Sequence, residues 1–144
     1  MTLLRVVAVA LALVVALPAD AREDRLKLSI QEAMARADTE AKLDGSVKFY
    51  WGKNAPAGAK TMGTFTANKK TNLFNKTDAD GCYWAWLSAM ISLQDRARKE
   101  GGNAVVNVHS VYKNETFMSS TEYMCGAGNV VGGVALRGTV AKVR

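Results

Sequence analysis

Apolar and polar residues fall into four kinds of stretch along the chain. From Val6 to Leu17 the residues are apolar without interruption. Ser29 then stands three residues before Glu32, the spacing of a helix capping box, and Ile30, Ala33, Met34, Ala37 and Ala41 recur at helical intervals. These predict a helix over 30–43 whose small, Ala-rich stripe packs on the surface of the domain. Asp44-Gly45 ends it, after which Val47, Phe49 and Trp51 alternate with Lys48 and Tyr50, predicting a strand over 46–51. Pro56 and three glycines mark 52–63 as a turn or loop, with room for a short strand at 62–66.

Positions 67–80 are polar and basic, with Lys69, Lys70 and Lys76 and no hydrophobic period beyond Leu73-Phe74. They read as the longest irregular stretch, a contact surface or else a solvated connector. Asp78 can cap the helix that follows, Asp80 lies in its first turn, Arg96, Arg98 and Lys99 fill its last, and Gly101-Gly102 stops it. Between them Cys82, Trp86, Ala89, Met90, Leu93 and Ala97 form the stripe of a helix laid on a sheet. Tyr83, Trp84 and Ile91 widen that face. A Trp pair can stack on bases or sugars, but at this spacing core packing is the simpler reading.

A β-branched strand over 104–112, a reversal at Asn114-Glu115, a return strand over 116–125, a Gly-rich piece over 126–133 and a closing strand beginning at Val134 complete the pattern. The expected fold class is therefore α+β: one principal helix on an antiparallel sheet of about four strands, a β-α-β-β core, with an extra N-terminal helix.

The apolar run near the start has Arg5 before it and Ala19-Asp20-Ala21 after it, the layout of a secretory signal cleaved after Ala21. At about 1.5 Å per residue the run is too short for a hydrocarbon layer of about 30 Å, which argues against a retained anchor. The expectation is a signal peptide over 1–21, a single domain over 22–144 without a membrane span, and a periplasmic or secreted location. The leader carries one cation and one acid besides its terminus, so the net charge of +6 belongs to the domain. An oxidising compartment then favours a disulfide between Cys82 and Cys125. A redox or metal role is the alternative, but there is no Cys-x-x-Cys and His109 is the sole histidine.

The run Cys82-Tyr-Trp-Ala-Trp-Leu-Ser-Ala-Met-Ile-Ser-Leu-Gln94, then Ala97, Gly101-Gly-Asn-Ala-Val-Val106 and Gly133-Val-Ala-Leu-Arg-Gly-Thr-Val-Ala-Lys-Val143, resembles small exported bacterial proteins often labelled "excinuclease ATPase subunit". Lys42-Leu-Asp-Gly-Ser-Val-Lys-Phe-Tyr50 and Asn68-Lys-Lys-Thr-Asn72 are similar to the same family. More distantly, the helix, its Gly-x-Asn-Ala-Val-Val sequel and the closing Gly-Thr-Val-Ala-Lys strand resemble the YbjQ-type domain, described as heavy-metal-binding, and the lipoprotein sensor of the Rcs envelope-stress pathway. The resemblance implies a β-α-β-β core, an envelope location and, from the YbjQ-type relatives, a homo-oligomer joined through strand edges. The ATPase label does not carry over, because the chain has no phosphate-cradling Gly-x-x-x-x-Gly-Lys-Ser/Thr loop.

One His, no nucleophile elbow and no recognisable carboxylate pair make a binding or sensing module of the envelope the first functional expectation, with no cofactor and no metal. Lys69, Lys70, Lys76, Asn107, His109 and Arg137 are its candidate contact residues, and the partner is an unknown envelope protein or an anionic polymer. The alternative is an electrostatic binder of lipopolysaccharide, phospholipid or DNA, using the same lysines with Lys113, Arg137 and Lys142. A small enzyme built on His109, near Asn107 and Arg137, is the third reading.

Overall fold

The computed structural model describes residues 22–144 together with Ala16. The signal peptide expected over 1–21 lies outside the described residues, that one alanine apart.

Leu26 and Leu28 alternate with Arg25 and Lys27, so the first described segment forms strand β1 (Asp24–Ser29). The Ser29 hydroxyl accepts from the Glu32 amide at 3.1 Å and caps α1 (Ile30–Met34). The single helix expected over 30–43 is in fact two, because Arg36 is extended and α2 (Ala37–Lys42) starts afresh after it. The break is fixed by Thr39, which is buried: its hydroxyl donates to the Ala33 carbonyl at 2.6 Å and shares a hydrogen bond with the Tyr83 hydroxyl at 2.8 Å. A polar side chain satisfied in this way holds the second helix against the first.

Strands β2 (Lys48–Trp51) and β3 (Lys60–Asn72) precede the long helix α3 (Asp78–Glu100), and β4 (Ala104–Tyr112), β5 (Glu115–Phe117), β6 (Glu122–Ala127) and β7 (Val131–Lys142) follow it. The sheet order is β1-β6-β7-β4-β2, with β3 also on β7 and β5 on β4. The longest pairing is antiparallel, β3 along the length of β7; β4 and β6 pair with β7 at different places, and β2 lies parallel to β4. The helix on a four-stranded antiparallel sheet is thereby corrected. The described residues form a mixed, curled sheet of seven strands with one long and two short helices.

The largest single departure is β3. Its thirteen residues bury little besides Ala67 and, partly, Phe65, so no hydrophobic alternation marks it. It is a polar strand held by its pairing with β7, and lysines on such a strand discourage further edge pairing. The return strand expected over 116–125 is likewise two strands, parted where Ser119 accepts from the Thr121 and Glu122 amides at 3.1 Å each.

Thr77, rather than Asp78, caps α3, its hydroxyl accepting from the Asp80 amide at 3.1 Å. Gly101, at φ +82°, closes the other end in the left-handed conformation that glycine tolerates. The core lies between α3 and the sheet, with Trp86, Met90 and Leu93 against Val105, Val108, Tyr123, Val134, Leu136 and Val140. The predicted disulfide is present: Cys82 in the second turn of α3 is bonded to Cys125 of β6, their Cα atoms 5.9 Å apart. Among the described residues no helix is long and apolar enough to cross a membrane.

Candidate functional site

Residues Val134, Leu136 and Val140 of β7 face α3, which sends the intervening residues to the other face of the sheet. Two small apolar clusters cover parts of that face. One gathers Ala104, Val106 and Ala141 under Tyr50, Ala59 and Val143; the other gathers Tyr112, Met124 and Ala135 with Val111 and Phe117. The Tyr112 ring lies directly on the backbone, since a Cβ at Gly126 would sit 2.1 Å from it. Between the clusters runs a polar strip.

Its centre is Arg137, whose cross-strand neighbours are Thr66 of β3 and His109 of β4. The Arg137 Nε donates to the Thr66 hydroxyl at 3.1 Å, and one step along the ladder Thr64 and Thr139 share a hydroxyl hydrogen bond at 2.8 Å. Asn107 is the source of the local geometry. Two residues separate Val106 from His109 in β4 where one separates their partners in β7, and Asn107 takes a φ of +54° at this bulge. The His109 Nδ1 then donates to the Asn107 carbonyl at 2.6 Å, which fixes the orientation of the ring. The structure thus brings Asn107, His109 and Arg137 together, and adds Thr64, Thr66 and Thr139. Thr64 and Thr66 could be placed only once β3 was recognised as a strand, and Thr139 follows Arg137 on the same face of β7.

The lysines behave differently. Lys69 and Lys70 are successive residues of β3, on opposite faces, with Lys70 on the face of Arg137. Lys76 lies in the turn before α3 and its Nζ donates to the Asn72 carbonyl at 3.1 Å. The irregular basic loop expected over 67–80 is therefore replaced by the end of a strand and a short turn. Lys142 stands opposite Lys60 at the far end of β7. Lys113, in the β4–β5 turn, is paired with Glu23; that hydrogen bond is the main reason the Glu23 carboxyl is held below, and the Lys113 ammonium above, its ordinary range.

A second recess was not anticipated. A cleft of about 330 Å³ opens between α1 and the start of α3, lined by Ser29, Glu32, Arg36, Asp80, Tyr83 and Tyr123 among others. The Arg36 guanidinium lies 3.6 Å from the Tyr83 ring centre and donates to Asp80 at 3.0 Å. Tyr123 is only 2% exposed. Burial raises its pKa well above the ordinary tyrosine value of 10.0. The cleft can supply hydroxyl and guanidinium donors to a small acceptor. Among the described residues no group of three or more His, Cys, Asp or Glu side chains is placed to hold a metal ion.

Comparison of the chain with known protein families, with characterised proteins and with solved structures finds no match.

Proposed function

We propose that this chain is an exported binding or sensing module of the bacterial envelope that engages its partner through the open face of the sheet. The observation that carries the reading is the strip of Thr64, Thr66, Arg137, Thr139 and His109. These donors and acceptors are set on neighbouring strands, bounded by apolar clusters, and lie on the face that α3 leaves bare. Polar groups fixed on a rigid sheet lose little freedom on binding, which suits them to recognition. The buried disulfide, the leader-like sequence of 1–21 and the resemblance to small exported bacterial proteins support the location. The test places a photo-crosslinking side chain at Asn68, on the strip's face, or at Ser88, on the exposed side of α3, in the host cell. A discrete adduct from Asn68 that is absent from Ser88 and lost with Arg137→Glu is expected. Equal labelling from both positions would overturn the reading.

One observation favours a second reading, attachment to an anionic polymer. Among the described residues Lys69, Lys70 and Lys76 take part in no ion pair. Binding of this kind weakens steeply with salt, and retention on heparin that is indifferent to salt would contradict it.

A further inference from the structure

Two turns meet at one end of the sheet, the β3–α3 turn and the β6–β7 turn. There Phe74 is 72%, Val130 62% and Val131 49% exposed. Single exposed apolar residues need no explanation, but three at one tip do. The tip is also well ordered by its bonding. The Leu73 amide donates to the Val130 carbonyl at 2.7 Å, Asn72 stands opposite Val131, and the Asn72 side chain accepts from the Phe74 amide at 2.6 Å. Leu73 is buried and fills the space above Gly81, where a Cβ would come within 2.2 Å of it. Leu73 turned inward fixes Phe74 outward.

The charges around this tip are of one free sign. Lys69 and Lys70 leave β3 on its two faces just before the tip, and Lys76 follows it. The acids nearby are already neutralised, Asp78 by Arg22 and Glu23 by Lys113 and Arg25. A projecting apolar point flanked by cations that make no ion pair among the described residues has the two properties that a lipid surface selects: interfacial apolar residues and attraction to acidic headgroups. A soluble polyanion would use the lysines and leave Phe74 in water.

We infer that the tip formed by Phe74, Val130 and Val131 inserts into the interfacial layer of an anionic lipid bilayer, with Lys69, Lys70 and Lys76 on the headgroup phosphates. The inference rests on the basic-surface reading, which it narrows to a lipid surface, and is independent of the polar strip on the sheet.

The test uses the disulfide-bonded chain beginning at Arg22, which contains every described strand and helix, and measures sedimentation with vesicles alongside elution from heparin. Vesicles of phosphatidylcholine are compared with vesicles in which about a third of the lipid is phosphatidylglycerol; each lysine near such a surface is worth about fivefold. Binding to the anionic vesicles more than tenfold tighter than to the neutral ones is expected. Phe74→Ser should weaken it about tenfold and leave heparin elution unchanged. The Lys69→Gln, Lys70→Gln, Lys76→Gln variant should weaken both. Retention on heparin without vesicle binding, or vesicle binding indifferent to Phe74→Ser, would overturn insertion and leave the basic-surface reading standing. Absence of both would overturn both.

Discussion

Removing the Cys82–Cys125 bond is the perturbation with the most direct structural forecast. The two residues are separated by 43 positions and both are fully buried, one in α3 and one in β6. Closing a loop of that length removes about 4 kcal/mol of chain entropy from the unfolded state. The domain is of a size whose whole stability is about 5–15 kcal/mol. The Cys82→Ala, Cys125→Ala variant should therefore be about 3–4 kcal/mol less stable than the parent in urea, and melt about 10–20 °C lower. Because both sulfurs are shielded, the native protein should also resist dithiothreitol until denaturant is added. A parallel melt of the parent, reduced while unfolded and kept reduced, controls for packing lost with the sulfurs. A variant within about 1 kcal/mol of the parent would show that the bond joins segments already held together in the unfolded chain, and would refute the staple argument.

Two further perturbations probe the sheet and the cleft. Gly126→Ala drives a methyl group into the Tyr112 ring and should cost about 2–3 kcal/mol by chemical denaturation. Adding Tyr112→Leu should recover part of that, and strict additivity would refute the contact. The Tyr123 hydroxyl has its pKa raised by burial, so the folded chain keeps this proton where the unfolded chain loses it. Stability should then fall as pH rises above about 10, and Tyr123→Phe should flatten that decline. Identical alkaline profiles for parent and variant would remove the buried-hydroxyl account.

Legibility in the sequence followed apolar periodicity. The helix α3, strands β2 and β4 and the closing strand β7 all carry it, so they were readable from residues alone, and α3's stripe also placed Cys82 on the core side. Of β3 only the short strand at 62–66 was readable; its continuation through Asn72 was not, because a strand with few buried side chains looks like a polar loop until its partner is known. The break between α1 and α2 was hidden for a different reason. A single threonine does not by itself end a helical period, and only the bonds of Thr39 to Ala33 and Tyr83 make the second helix start anew. The parallel pairing of β2 with β4 depends on the path of the chain through β3 and α3, which periodicity does not encode.

The same division holds for the candidate sites. Asn107, His109 and Arg137 could be named as polar residues of apolar strands, but their meeting depends on the β4–β7 register and its bulge. The cleft at Tyr123 joins residues from α1, α3 and β6 that are distant in sequence, and a tyrosine inside a strand gives no sign of the recess it lines.

The central proposal, an exported chain stapled by its disulfide, is tested most directly by the intact mass of the protein recovered from the host envelope without reductant. The account predicts a chain beginning at Arg22 and two hydrogens lighter than its sequence. A chain that retains Met1 and carries two free thiols would contradict it.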